Sequence, residues 1–354
     1  MKNIVIKTPK GKKVIGPGFP VFIVAEMSGN HNQSYTRALK IIDACADAGV
    51  DAVKLQTYTA NTITINSDRE CFKIKKNNLW SGQTLYQLYQ KAYTPWAWQP
   101  KLKKYAEKKG LMLFSTPFDN TAVDFLEKMN VELYKIASLE VVDIPLLKRI
   151  GKTKKPVIMS RGTASFEEIK LAIKTLRENG TPQVAVLQCL SAYPANPENM
   201  NLKTIPDIIK KFKVISGFSD HSLNNTMDIA AIALGGSIIE KHITLSRADG
   251  GPDAAFSLEP NEFKELVKSI RILEKALGKP FYGVDNSESE SVLFRKSLFV
   301  VTNIKRGEKF TAKNIRSIRP GAGLKPKYYD DIINKKAKVD IKKGTPLNWR
   351  LIKK

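Results

Sequence analysis

The sequence predicts an α/β protein, a (β/α)₈ TIM barrel followed by a small C-terminal β-rich module. Three observations carry this expectation. Between Val21 and Gly278 eight short apolar runs alternate with amphipathic segments, the pattern of repeated βα units. Polar residues interrupt or end every run on the same, carboxyl-terminal side, where such barrels place their chemistry. Beyond Gly278 the texture changes to a polar linker and short runs punctuated by glycine turns.

The runs span residues 21–28, 52–58, 111–118, 133–138, 157–162, 184–190, 214–220 and 237–245. Helix-like periodicity fills 36–48, 121–129, 166–179, 202–212, 225–235 and 261–277. Gly49, Gly110 and Gly180 follow helix-like segments, as C-caps do. Taken in order, the run ends carry Glu26; Lys54 and Gln56; Ser115 and Thr116; Lys135 and Ser138; Ser160 and Arg161; Gln188; Ser219, Asp220 and His221; Glu240 and His242.

His221 and His242 close neighbouring runs, so parallel pairing sets them side by side at one rim. Two imidazoles with carboxylates close by suit a divalent metal with open positions. The competing reading, two hydrogen-bonded structural histidines, loses ground because the chain holds only three histidines and two fall at matching positions. Lys54 and Lys135, with serine and threonine at adjacent run ends, read as a cradle for phosphate or carboxylate.

Residues 59–92 are too long for a simple βα loop and fold either as a lid over the mouth or as a packed surface insertion. Residues 193–200 and 247–257 are further mouth loops; the second holds a tight polar turn from Asp249 to Asp253. After the linker at 285–290, the stretch 303–308 is echoed by 340–345, each reading as a strand and a glycine turn. Between them Arg319-Pro320-Gly321 is either a surface turn or an arginine carried to an anionic site.

The formal charge of +24 raises a nucleic-acid reading, but arginine supplies only 12 of the 58 basic residues and no aromatic stripe accompanies the lysines. A solvated basic surface is the expectation, with no nucleic-acid partner. Cys45, Cys71 and Cys189 make neither a disulfide framework nor a zinc knuckle. No apolar run approaches membrane-spanning length, so a cytoplasmic protein without a membrane partner is expected. No Gly-x-Gly-x-x-Gly follows the first run and no Walker loop occurs, which argues against dinucleotide and nucleoside-triphosphate chemistry.

Taken together, Ala25-Glu26, Asn30-His31-Asn32, Val53-Lys54-Leu55-Gln56-Thr57, Phe114-Ser115-Thr116-Pro117-Phe118 and Tyr134-Lys135-Ile136-Ala137-Ser138 form an ordered set. It continues with Tyr193-Pro194, Gly217-Phe218-Ser219-Asp220-His221-Ser222, Glu240-Lys241-His242, Gly251-Pro252-Asp253 and Arg319-Pro320-Gly321. This set resembles the sialic acid synthases, the family of N-acetylneuraminate, legionaminate and pseudaminate synthases. The resemblance implies a barrel over 1–282, a linker over 283–296 and an antifreeze-protein-like (SAF) domain over 297–354, in a homodimer with swapped C-terminal domains. It implies a transferase that condenses phosphoenolpyruvate with an open-chain N-acetylated deoxyhexose and releases phosphate.

On that resemblance His221 and His242 bind a divalent metal, Mn²⁺ first and Mg²⁺ or Co²⁺ as alternatives. Lys54, Thr116, Lys135, Ser138, Ser160 and Ser219 hold phosphoenolpyruvate. Glu26, Lys54, Gln56 and Arg319 serve catalysis, and Glu26, Asn30, Tyr193, Asp253, Phe256 and Arg319 meet the sugar, Arg319 arriving from the partner's small domain. The stretches 56–59, 66–68, Leu79-Trp80, Leu85-Tyr86 and 249–257 resemble the pseudaminate branch, with 2,4-diacetamido-2,4,6-trideoxy-L-altrose as the expected sugar. An N-acetylneuraminate or legionaminate synthase is the first alternative; a metal-dependent aldolase or hydrolase and a basic nucleic-acid binder follow. Arg161, where many relatives carry threonine, and Ser191, where neuraminate synthases commonly have asparagine, depart from the pattern.

Overall fold

The computed structural model describes residues 2–75, 80–193 and 195–353. The chain divides into two compact units, Met1–Gly278 and Lys279–Lys354. The first opens with an antiparallel hairpin, β1 (Ile4–Thr8) and β2 (Gly11–Ile15). Eight parallel strands then close into a barrel: β3 (Phe22–Glu26), β4 (Ala52–Thr57), β5 (Met112–Pro117), β6 (Tyr134–Ile136), β7 (Val157–Ser160), β8 (Val184–Cys189), β9 (Ile215–Asp220) and β10 (Ile238–His242). Each lies inside one predicted run, and β10 pairs with β3 so that His242 stands in register with Glu26.

Helix α1 (Tyr35–Ala48) returns the chain on the outside; two short helices, α2 (Ala60–Ile63) and α3 (Leu85–Ala92), belong to the long insertion after β4, and the others again return the chain on the outside: α4 (Gln99–Lys108), α5 (Asn120–Lys128), α6 (Ile144–Gly151), α7 (Phe166–Glu178), α8 (Thr204–Phe212), α9 (Thr226–Ala233) and α10 (Pro260–Leu277). Their ends are set locally. Ser34 accepts a hydrogen bond from the Arg37 N–H at the start of α1, and Gly49 ends it in the left-handed region, φ 80°. Ser165 and Glu168 form a capping box on α7.

Strand alternation sorts side chains into two layers. Outward residues such as Ile23, Val53, Leu55, Tyr134, Val186, Phe218 and Ile239 pack against the helices. Inward residues Phe22, Val24, Ala52, Met112, Phe114, Ile158, Ala185, Leu187, Ile215 and Ile238 fill the lower barrel. Ile4, Ile6 and Ile15 of the hairpin join this inner cluster and close its floor. Each such burial contributes roughly 1.5–3 kcal/mol. The hairpin was not expected from sequence. Gly217 faces inward where a Cβ would lie 2.1 Å from the Ile238 carbonyl oxygen, so only glycine lets β9 and β10 approach.

In the second unit β11 (Ser297–Val300) pairs antiparallel with β12 (Ile315–Ile318). Leu298, Val300, Ile304, Phe310, Ile315, Ile341 and Leu347 form its core. The two echoed stretches are single bridges and tight turns where strands were expected. Ile304 and Ile341 exchange backbone hydrogen bonds at 2.9 and 2.8 Å, and Gly307 and Gly344 take φ of 86° and 89°. The short helix α11 (Tyr329–Ile332) buries Ile332 against the same core.

Candidate active site

The inward alternation that is apolar at the floor turns polar at the carboxyl ends of the strands. Glu26, Lys54, Gln56, Thr116, Lys135, Ser160, Ser219, Glu240 and His242 continue the inward positions of their strands. Above them is a cavity of about 390 Å³. Of the predicted site residues, Glu26, Lys54, Gln56, Lys135, Ser138, Ser160, Tyr193, Ser219, His221, His242, Asp253 and Phe256 line it.

Thr116 and Asn30 are buried but do not line it. Thr116 accepts a hydrogen bond from Lys54 Nζ at 3.3 Å and holds that lysine. Asn30 Nδ2 donates to the Ile243 carbonyl and to Ser257 Oγ, both at 2.8 Å, so it stitches the loop after β3 to the loop after β10. Arg319 is exposed, at the end of β12 in the second unit. Leu79 and Pro194 lie outside the described residues.

The two lysines do not stand free. Lys54 pairs with Glu26 and lies 3.7 Å from Glu240 Oε1. Lys135 Nζ is 3.5 Å from the same oxygen and donates to Ser160 Oγ at 2.7 Å. Burial pulls the Lys54 ammonium down to about 8, against the opposing attraction of Glu240. Burial alone would raise Glu240, but Lys135 and Lys54 hold it below the usual carboxylate range. Two ammonium groups therefore face the cavity with two carboxylates as internal counter-ions.

The imidazoles of His221 and His242 meet with ring centroids 5.3 Å apart. Phe256 lies 5.9 and 5.0 Å from them, and the Tyr193 ring packs tilted 4.7 Å from His221. His221 Nδ1 contacts the Leu190 carbonyl at 2.9 Å; a proton on Nδ1 donates to that oxygen and leaves Nε2 as a lone-pair donor. Burial, aided by His221 and the lysines, pushes His242 well below the ordinary imidazole value, so it is neutral.

Two family models match the chain. One, described as the NeuB family, covers residues 41–282, and one described as the SAF domain covers 295–353. The chain belongs to the NeuB family. It is 42% identical over 327 residues to a pseudaminic acid synthase of Campylobacter jejuni, spanning 92% of this chain and 95% of that protein. It is 35% identical over 324 residues to an N,N'-diacetyllegionaminic acid synthase of the same organism, spanning 90% and 96%. The crystal structure of an N-acetylneuraminic acid synthetase from Leptospira borgpetersenii in complex with citrate superposes with a TM-score of 0.71 at 34% identity, covering 82% of this chain and 95% of that one.

The NeuB-family barrel also holds cavity residues that the sequence reading passed over. Glu140, two residues beyond Ser138, lines the cavity and is pushed up to about 7 by burial. Ser28 donates to the Asp253 carboxylate, and Cys189 lies beneath His221. Ile63, Trp80, Leu88, Tyr89 and Ala92 of the long insertion, with Phe118, form an apolar wall. Trp80 Nε1 donates to the Pro252 carbonyl at 2.7 Å, tying insertion to polar turn. The departures are absorbed: Arg161 Nε donates to Gln188 Oε1 at 2.6 Å, and Ser191 Oγ lies 2.7 Å from Ser138 Oγ.

The NeuB-family donor set fits a divalent ion. His242 Nδ1 is buried without a hydrogen-bond partner, 4.0 Å from Asp253 Oδ2. Among the described residues no three His, Cys, Asp or Glu gather as a closed cage. A pair of imidazole ligands leaves positions open for substrate oxygens, as catalytic sites require. No helix among the described residues is long and apolar enough to cross a membrane.

Proposed function

We propose that this chain makes pseudaminic acid, condensing phosphoenolpyruvate with the open-chain aldehyde of 2,4-diacetamido-2,4,6-trideoxy-L-altrose and releasing phosphate. The observation that carries the reading is that one cavity is lined both by a polar base bearing two ammonium groups and by apolar residues of the insertion. The ammonium-bearing base matches a phosphate and a carboxylate; the apolar lining matches a deoxygenated sugar tail. The fall from 42% to 35% identity between the pseudaminic and legionaminic synthases of one organism supports the choice of branch.

Lys54, Lys135, Ser138, Ser160 and Ser219 bind phosphoenolpyruvate, with Thr116 holding Lys54 in place. Its C3 attacks the sugar aldehyde and forms the new C–C bond, while the aldehyde oxygen takes up a proton. Water adds to the cationic C2 and loses one proton, and the tetrahedral centre then expels phosphate with C–O cleavage as its hydroxyl gives up the second proton to leave the 2-keto group. Glu26, with Gln56 nearby in the cavity lining, handles these proton transfers, and the raised Glu140 carboxyl is a second candidate acid–base. When bound at His221 and His242, a divalent ion, Mn²⁺ before Mg²⁺ or Co²⁺, supplies Lewis acidity toward the aldehyde oxygen. Tyr193, Asp253 and Phe256 enclose the sugar. In a homodimer with swapped small domains, Arg319 of the partner subunit meets the sugar as well.

Phosphate release measured with the 6-deoxy diacetamido sugar and with N-acetylmannosamine tests the proposal. Turnover is expected with the first at least tenfold above the second. A preference for N-acetylmannosamine overturns it.

A further inference from the structure

Behind the rim, on the outward face of the last two strands, lies a buried ionic cluster that the reaction does not use. Lys241 and Asp220 are cross-strand partners in the β9–β10 register, and each immediately precedes a histidine of the pair. Lys241 Nζ contacts the Asp220 carboxylate, lies 2.8 Å from Asp228 Oδ2 on α9, and donates to the Asn224 carbonyl at 3.2 Å. All three charged side chains are 0% exposed. Asp220 also accepts from the Ser222 N–H and Oγ at 3.0 and 2.8 Å, gathering the loop that leaves His221.

Stability alone explains this cluster poorly. The neighbouring outward positions are filled by Phe218, Ile239 and Ile243, and a buried ionic group is commonly no more stabilising than apolar residues of its volume. What it does is fix main chain at the root of both imidazoles. His221 has a hydrogen bond of its own to orient its ring. His242 has none among the described residues: its Nδ1 is without a hydrogen-bond partner, Asp253 Oδ2 stands 4.0 Å from it, beyond hydrogen-bond reach, and the rings of His221 and Phe256 pack beside it. A metal-binding imidazole is ordinarily oriented by a hydrogen bond on its second nitrogen. Here the backbone one residue earlier must supply that constraint.

We propose that Lys241, with Asp220 and Asp228, is a positioning residue that sets the spacing of His221 and His242 and thereby the affinity for a divalent cation. The proposal rests on the reading that these two histidines bind the metal. Mn²⁺ binding to the full-length protein, followed by loss of the free-ion electron paramagnetic resonance signal without substrates, tests it in folded Lys241→Met and Asp228→Asn variants. Lys241→Met is expected to weaken Mn²⁺ binding by about tenfold or more. At saturating Mn²⁺ its KM for phosphoenolpyruvate is expected to stay within about twofold, because the cradle side chains sit on the inward face. Asp228→Asn is expected to weaken Mn²⁺ in the same direction, by about threefold. A folded Lys241→Met that binds Mn²⁺ as wild type does overturns the proposal. If that variant does not fold, unchanged binding by Asp228→Asn does the same. Binding by wild type that persists in His242→Ala removes the metal reading itself and the proposal with it.

Discussion

Glu240 Oε1 stands 3.5 Å from Lys135 Nζ, inside the barrel, and 3.7 Å from Lys54 Nζ. The anion site is therefore occupied in advance by an anion of the protein's own. An incoming phosphate competes with that carboxylate for the two ammonium groups, and the carboxylate stays charged because they hold it down. Glu240→Gln keeps the shape and removes the competitor. Inorganic phosphate, assayed as a competitive inhibitor against phosphoenolpyruvate, is expected to bind about fivefold tighter to this variant. Equal or weaker inhibition would show that Glu240 is not an internal counter-ion.

The histidine outside the cavity makes a pH prediction. His31 Nε2 lies 3.1 Å from Thr94 Oγ1, and its Nδ1 accepts from the Gln33 N–H at 3.1 Å. Protonation at Nδ1 would break the second bond inside a fully buried site, and burial lowers the pKa to about 4. The unfolded chain takes this proton near 6.5. The unfolded state thus binds more protons between about 6.5 and about 4, so the contribution is full above that window and is lost as pH falls through it. The loss is about 3 kcal/mol at its limit. Denaturant unfolding at pH 7 and pH 4.5 should show a smaller drop for His31→Gln than for wild type. Equal drops would place the acid sensitivity elsewhere.

Removing His242 strands no hydrogen-bond partner among the described residues, since its Nδ1 has none and Asp253 Oδ2 stands 4.0 Å away, beyond hydrogen-bond reach. His242→Ala is expected to keep the fold, with a melting temperature within a few degrees of wild type in metal-free buffer, while losing bound metal and turnover. Metal content by atomic absorption, read beside the melt, checks this. Stoichiometric metal in a folded His242→Ala would exclude His242 as a ligand.

Much of this was legible because strand alternation is a rule of two: once the eight runs are read as strands, Lys54, Lys135, Glu240 and His242 fall on the inward face with the floor residues. What the rule does not reach was missed. Ile4, Ile6 and Ile15 sit among lysines in strands too short to stand out, and only the barrel floor gives them a place to pack. Glu140 lies past the end of its strand, where loop conformation and not periodicity decides orientation. Asn30 reads as a sugar ligand by resemblance; its amide nitrogen donates to Ile243 and Ser257, while its Oδ1 is buried without a hydrogen-bond partner. Lys241 lies between two singled-out residues, but its partner Asp228 comes from a helix whose docking no local pattern encodes.

Gly162 shows how tightly the end of β7 is built. It takes φ 45°, and a Cβ there would lie 2.0 Å from Ser138 Cβ and 2.8 Å from Ser191 Oγ. Gly162→Ala must displace Ser138, one of the residues assigned to phosphoenolpyruvate. The expected result is a rise of about tenfold in KM for phosphoenolpyruvate with an intact fold. An unchanged KM would take Ser138 out of the phosphoenolpyruvate site.

The apolar wall makes the sharpest statement about the sugar. C6 of an open-chain hexose is the carbon farthest from the reacting C1, so with C1 between phosphoenolpyruvate and the two histidines the C6 methyl points toward the mouth. There Ile63, Leu88, Tyr89 and Phe118 await it. A hydroxyl at C6 would meet Leu88 without a hydrogen-bond partner, a penalty of about 1–3 kcal/mol. Leu88→Asn supplies that partner. The ratio of kcat/KM for 6-deoxy over 6-hydroxy sugars is expected to fall about tenfold in this variant, with KM for phosphoenolpyruvate unchanged. A ratio that does not move would mean that the tail of the sugar lies elsewhere, while a wild type indifferent to the C6 hydroxyl would count against the pseudaminate reading itself.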